Sequence, residues 1–381
     1  MISFRQSKKV FSLYKNRWGS KQPTRPTVLI QSDDWGRVGL PKIELLEDLQ
    51  SAGVQAGQSP WDFYGAESAA DLKQLGETLS QINDCDGQPA CMTANIVMAN
   101  ADIPLMRAEG FSVFRSLSIA NGFPDPWDDM RPVEEYKKLM DKGVFYPALH
   151  GFTHFSPTMM MKGWHDTSDF GRRARLLLKK DIPYLASLTP EYNFALQERW
   201  DGGERFATEL EQREWVRQGV DLFIDSFGFV PRSTCAPGYR ANEVTFKLWK
   251  EYGIKVIQNA SYGVTYEDNG VLTIPRNVSF EPFLFDSAKK GIEKALIQAR
   301  RAVRQGKMIV ICSHSISYMN SHLNMRDRSL DALRELLLRL LLIYPDLRFA
   351  NDGVVHEKWM NDDRLWFSPP EFITRVRRMN V

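Results

Sequence analysis

Seven short apolar runs, at 27–32, 91–98, 145–150, 231–236, 254–258, 308–313 and 347–350, punctuate the chain after Pro26. Stretches with helical spacing separate them, at 41–52, 68–84, 132–142, 172–188, 207–226, 241–252, 287–305 and 329–343. Strands parted by helices argue for βα units, and those build a parallel sheet or barrel. Val28–Ile30 and Val310–Cys312 are apolar at consecutive positions, as in strands covered on both faces. The chain therefore reads as α/β, one domain over 27–355. A basic extension (1–26) precedes it, and a C-terminal extension (356–381) is expected to pack on it. Residues 99–131 and 155–206 break the rhythm and read as elaborated loops, Met159–Met161 among them.

Composition narrows the function classes. A net charge of +2, with no basic stripe interleaved with aromatics, excludes a nucleic-acid partner. Four scattered cysteines without a CxxC argue against a disulfide framework or a cysteine zinc site, and suit a reducing compartment. The N-terminus is basic without a continuous apolar core, so it is no secretory signal, and no apolar run reaches membrane-spanning length. The expected location is cytoplasmic. Phe4, Phe11, Tyr14 and Trp18 among Lys8, Lys9, Lys15 and Arg17 are compatible with contact to an anionic membrane face. A helix packed outside the domain is the preferred account of the same residues.

The segment VLIQSDDWG (28–36) runs from an apolar strand straight into two carboxylates. Burying adjacent like charges is costly unless something offsets them. A bound cation would do so; a plain turn, rich in Asp and Gly, is the alternative. Six histidines are present, and three lie at strand ends: His150 after FYPAL, His154 four residues on, and His314 after MIVICS. Two imidazoles at this spacing can reach one metal, and two His with one Asp leave coordination positions open for water and substrate. In α/β folds the C-terminal strand ends share the face that carries the active site. With a metal present, one aspartate would ligate it and the other would act as base. His165 and His322 read as loop braces, and His356 is given no role.

These motifs resemble the polysaccharide deacetylase family (NodB-homology, carbohydrate esterase family 4). SDDWG (32–36) is similar to its Thr-Phe-Asp-Asp-Gly motif with Trp35 inserted, and HGFTH (150–154) to its His-Ser/Thr-x-x-His motif. CAPGYR (235–240) is similar to its Arg-x-Pro motif and ICSHS (311–315) to its Leu-x-His motif. The order matches over about 27–350. The resemblance implies a distorted, incomplete (β/α) barrel. It implies metal ligands Asp34, His150 and His154, general base Asp33 and general acid His314. Pro237 and Gly238 would line the pocket near a backbone N–H that holds the oxyanion. The cofactor implied is a divalent metal, Zn2+ by first choice, with Co2+, Ni2+ or Fe2+ also suited to these ligands. Two family residues have no direct match. The arginine that pairs with the base falls at Cys235, and Arg240 is expected to replace it ahead of Arg232. The aspartate that orients the catalytic histidine has Asp352 as its stand-in. Trp35, Trp127, Trp164, Trp200 and Tyr239 are sugar-platform candidates, Trp35 foremost.

The expected activity is removal of an N-acetyl group from a saccharide in surface polysaccharide biosynthesis or modification. Two rivals stand beside it: an amidohydrolase acting on a small non-sugar amide, and a weakly catalytic carbohydrate-binding protein that keeps the metal.

Overall fold

The computed structural model describes residues 21–127, 131–200, 203–259, 265–320 and 322–368. One sheet of ten strands organises it. Its members are β1 (Thr27–Trp35), β2 (Met92–Ile96), β3 (Phe145–Leu149), β4 (Ser233–Thr234), β5 (Val256–Asn259), β6 (Tyr266–Asp268), β7 (Val271–Pro275), β8 (Val278–Ser279), β9 (Ile309–His314) and β10 (Arg348–Phe349). The spatial order is β6-β7-β5-β4-β3-β2-β1-β9-β8, with β10 on the first residues of β1. Within the sheet only β6 and β7 pair antiparallel. The α/β reading holds, and β6, β7 and β8 add three strands where none was expected.

The strands alternate between two apolar environments, as period-two side chains must. Val28 and Ile30 pack outward into the main core with Leu72, Leu75, Leu333 and Leu336 from surrounding helices. Leu29 points the other way, to Val256, Leu272, Ile274 and Val310 inside the curled sheet. Each such side chain, fully buried, contributes roughly 1.5–3 kcal/mol. The inner set of β1 continues from Leu29 through Gln31 to Asp33. The lumen is therefore apolar at its base and polar towards the C-terminal strand ends.

Ten helices of eight or more residues are described: α1 (Glu44–Ser51), α2 (Ala69–Ser80), α3 (Pro132–Asp141), α4 (Pro157–His165), α5 (Asp169–Leu178), α6 (Glu209–Phe227), α7 (Glu243–Glu251), α8 (Ala288–Arg304), α9 (Arg326–Ile343) and α10 (Asp352–Met360). Val355 and Trp359 of α10 close the apolar base of the lumen. The expected domain edge at 355/356 thus falls inside a helix that belongs to the barrel core. Besides α5, where a helix was expected, the region 155–206 holds a helix α4 and a hairpin, Gln197–Trp200 with Gly203–Phe206, that were not. Ser156 caps α4 by accepting the Met159 N–H, Pro157 sits in the first turn, and Met159 and Met160 are buried. Among the described residues, no helix is long and apolar enough to cross a membrane. The N-terminal residues 1–20, on which the packed helix and the alternative membrane contact were read, lie outside the described residues.

Candidate functional site

Adjacent residues of an extended strand face opposite ways, yet Asp33 and Asp34 both turn into one site. Two irregularities allow it. Asp34 has φ 69°, a left-handed conformation that Asp tolerates better than most residues. The β1–β2 register also slips here, pairing Ser32 with Ala94 but Trp35 with Ile96, which is a bulge. Gly36 completes the turn at φ 76°, and a Cβ there would lie 2.6 Å from the Val97 carbonyl oxygen.

Each carboxylate has its own arginine. Arg276, just past β7, donates from Nη2 to Asp33 Oδ1 at 2.6 Å and from Nη1 to Oδ2 at 2.7 Å. Asn95 at the end of β2 adds a third donor to Asp33 Oδ1 at 2.7 Å. Burial opposes the Asp33 charge, but the Arg276 guanidinium outweighs it and holds the carboxyl below its ordinary range. Arg37 donates to Asp34 Oδ2 at 2.8 Å. Its guanidinium lies 3.9 Å from the Tyr64 ring centre and 4.5 Å from that of Tyr184. The repulsion between the acids is therefore offset by protein cations.

Asp34 Oδ1 faces two imidazoles, with His150 Nε2 at 2.9 Å and His154 Nε2 at 3.1 Å. His150 leaves the end of β3, and its Nδ1 lies 2.8 Å from the Cys235 carbonyl oxygen. That oxygen only accepts, so Nδ1 donates to it and Nε2 is the nitrogen turned to the carboxylate. His154 stacks on Tyr184 with ring centres 5.4 Å apart, and burial pushes it down to about 4, so it is neutral at neutral pH. One nitrogen from each of two imidazoles and one carboxylate oxygen thus converge on one point. A divalent cation fits this donor set, and Asp34, His150 and His154 lie close enough to share one.

The fourth element stands across Asp33. His314 ends β9, beside Asp33 in the β1–β9 register, and its Nε2 is 3.8 Å from Asp33 Oδ2. Its Nδ1 lies 2.7 Å from Oε1 of Glu281, which follows β8. Burial works against a charged imidazole here, but Glu281, then Asp33, overcome it and push His314 up to about 10. Trp61 covers this pair, its ring centre 4.7 Å from that of His314, and it is only half-buried.

Several expected residues sit elsewhere. Trp35 is 1% exposed, stacked on Tyr318 and edge-on to Phe145, with its N–H donated to Ser32 Oγ; it offers no face to a sugar. Trp164 is stacked on Phe111, and Trp127 packs against the main core. Arg240 does not approach Asp33; its guanidinium lies 3.9 Å from Glu204 and beside Phe194, while Arg276 holds the expected position. Asp352 lies inside the lumen, bonded to Gln31 rather than His314, and Glu281 takes the orienting position. Pro237 is buried beside the site, Gly238 and Tyr239 both have φ 59°, and this bend brings the Tyr239 hydroxyl to Arg276 Nη1 at 2.8 Å. His165 and His322 brace loops, against the carbonyls of Phe111 and Leu40.

The sequence reading missed Arg37, Arg276, Glu281 and Trp61. Arg276 had a signal: the run Val271–Ile274 is a strand, and Arg276 stands at its end as the histidines do at theirs. Glu281 follows a two-residue strand, too short to register as a periodic pattern.

No family model and no curated protein matches the chain. Solved structures do. A probable polysaccharide deacetylase from Pseudomonas aeruginosa PAO1 is similar with TM-score 0.50 and 12% identity, over 89% of this chain and 92% of that one. A candidate polysaccharide deacetylase from Mycobacterium smegmatis is similar with TM-score 0.48 and 14% identity, over 92% and 98%. A CE4 family pseudoenzyme from Bacillus anthracis follows with TM-score 0.42 and 9% identity, over 88% and 66%. The first of these likenesses gives the chain the fold of that group, a distorted and incomplete (β/α) barrel.

Proposed function

We propose that this protein is a metal-dependent hydrolase that removes an N-acetyl group from a saccharide of the kind built into surface polysaccharides. One observation carries the reading. Asp33 and His314 stand 3.8 Å apart beside the Asp34–His150–His154 set, with their proton affinities pushed in opposite directions. Pairs separated in this way mark acid and base assignments.

Asp34, His150 and His154 would hold the cation, whose charge polarises an acyl carbonyl and lowers the pKa of water. Arg37 occupies the second oxygen of Asp34 and leaves Oδ1 as the donor. Asp33, kept ionised by Arg276, takes a proton from the water as its oxygen bonds to the acyl carbon. His314, kept protonated by Glu281, gives its Nε2 proton to the sugar nitrogen as the C–N bond breaks. Without that proton an amine is a very poor leaving group. Trp61 replaces Trp35 as the ring on which an apolar sugar face would pack.

The test is acetate release from a panel of N-acetylated saccharides by protein loaded with Zn2+, Co2+, Ni2+ or Fe2+, with Asp33→Asn as control. Acetate from a saccharide with wild type alone supports the reading. Release from small amides only would assign the non-sugar substrate. No release, with tight saccharide binding, would make the protein a binder.

The roles also fix a pH dependence. An acid must stay protonated, so activity is expected to hold through mildly alkaline pH and fall as pH rises through about 10. Glu281→Gln removes the main group that raises His314. The alkaline limb of kcat/KM should then move down, towards the ordinary histidine value of about 6.5. A limb that stays in place would remove His314 from the acid's role.

A further inference from the structure

Asp352 opens α10 inside the lumen, fully buried, and no step above uses it. Its carboxylate takes Gln31 Nε2 on Oδ1 at 2.8 Å and Gln258 Nε2 on Oδ2 at 2.8 Å, with the Ser233 hydroxyl also on Oδ2. The other ends of both glutamines meet Arg276. Arg276 Nε donates to Gln31 Oε1 at 3.1 Å, and Nη2 to Gln258 Oε1 at 2.6 Å. Gln258 Oε1 also accepts from Asn95 Nδ2 at 2.8 Å, the same nitrogen that donates to Asp33.

A primary amide has a donor end and an acceptor end of nearly equal shape. Guanidinium only donates, and an ionised carboxylate only accepts. An amide held between them has one favourable orientation. Asp352 therefore decides which way two amides point, and both point their oxygens at Arg276. We propose that Asp352 is a positioning residue for the Asp33 base. Through Gln31 and Gln258 it aligns the fork of Arg276, and through Gln258 it also orients Asn95. This rests on the reading of Asp33 as base.

Asp352→Asn keeps the shape but turns one acceptor into a donor, so one glutamine must flip and present its NH2 to Arg276. The expected result is a fall in kcat of roughly 10–100-fold with KM and metal content unchanged. Independently of turnover, the Arg276 Nε–H resonance in 15N–1H spectra should shift and exchange faster. Asp352→Asn/Gln31→Glu moves the acid one residue along the chain of contacts at constant net charge. The carboxylate then carried at position 31 can accept from the new amide at position 352 and from Arg276 together. The double variant should therefore recover both kcat and the resonance. An unchanged resonance in Asp352→Asn overturns the proposal, as does a loss that Gln31→Glu fails to rescue, which would mean packing alone. If Asp352→Asn alone does not fold, the double variant decides: a wild-type Arg276 signal supports the proposal and a displaced one overturns it. Absence of turnover in the wild type would refute the base assignment, while the resonance would still report on the amides.

Discussion

Arg276→Leu is expected to lower the free energy of unfolding by about 3–5 kcal/mol, the usual cost of stranding one member of a buried ion pair. Both partners are almost wholly buried, Arg276 at 2% exposure and Asp33 at 3%. The arginine makes two bonds to Asp33 and further bonds to Gln31, Gln258 and the Tyr239 hydroxyl. Leucine fills part of the volume and leaves the carboxylate charged in an apolar and amide-lined lumen. The sign of the pH dependence follows. With Arg276 present, the Asp33 carboxyl is held down, so its contribution is present at neutral pH and lost as pH falls through its depressed folded value. Without Arg276, burial, the largest cause, meets only the weaker pull of His150 and His314 and is expected to raise that carboxyl. Stability should then fall as pH rises through the ordinary carboxylate range. Asp33→Asn/Arg276→Leu removes both charges and should recover much of the loss. Urea denaturation of the wild type, the single variant and the double variant reads all three. A loss below about 1 kcal/mol in the single variant, a value usual for exposed pairs, would contradict a buried pair.

How much of this was legible in the sequence depends on the distance over which each residue's meaning is set. Asp33, Asp34, His150 and His314 each end an apolar run, so local pattern placed them at strand ends, and a parallel sheet gathers such ends on one face. The eight expected helices recur within a few residues at most ends, because their apolar spacing is local; α5 differs, stopping at Leu178 where 188 was expected. Arg276 meets Asp33 across 243 residues, and no local rule encodes that pairing. Choosing Arg240 relied on nearness to a motif, whereas reaching Asp33 needs a position at a neighbouring strand end. Trp35 misled for a similar reason. It adjoins the acids in sequence, but the bulge after Ser32 returns its ring to the helix side of the sheet. The paired acids were read as needing a cation, and they have two: Arg37 lies only three residues on, but its meaning emerges from Tyr64 and Tyr184, which clasp it.

Purified wild type is expected to hold about one equivalent of divalent metal, and His150→Ala/His154→Ala none above background, by mass spectrometry of the protein. The donor atoms leave few alternatives. Nδ1 of His150 is committed to the Cys235 carbonyl, so Nε2, beside Asp34 Oδ1, is the nitrogen left to meet a metal. His154 is neutral at neutral pH, so a metal need not displace a proton from it. Arg37 ties up Oδ2 and presents Asp34 as a one-oxygen ligand. Three donors then leave a fourth position open, as in hydrolytic metal sites. Binding to the folded state alone should also stabilise it, by about 2.7 kcal/mol at a free metal concentration of 100 Kd. Thermal denaturation with and without Zn2+, Co2+, Ni2+ or Fe2+ should therefore show a rise in midpoint for the wild type and none for the double variant. The choice among the four metals follows from which gives the largest rise at equal concentration. If none binds the wild type, a proton shared among Oδ1 and the two Nε2 atoms must fill the role given to the cation. Asp33 and Asp34 would then be a turn steadied by two arginines, and the barrel would carry the fold of a deacetylase without its chemistry.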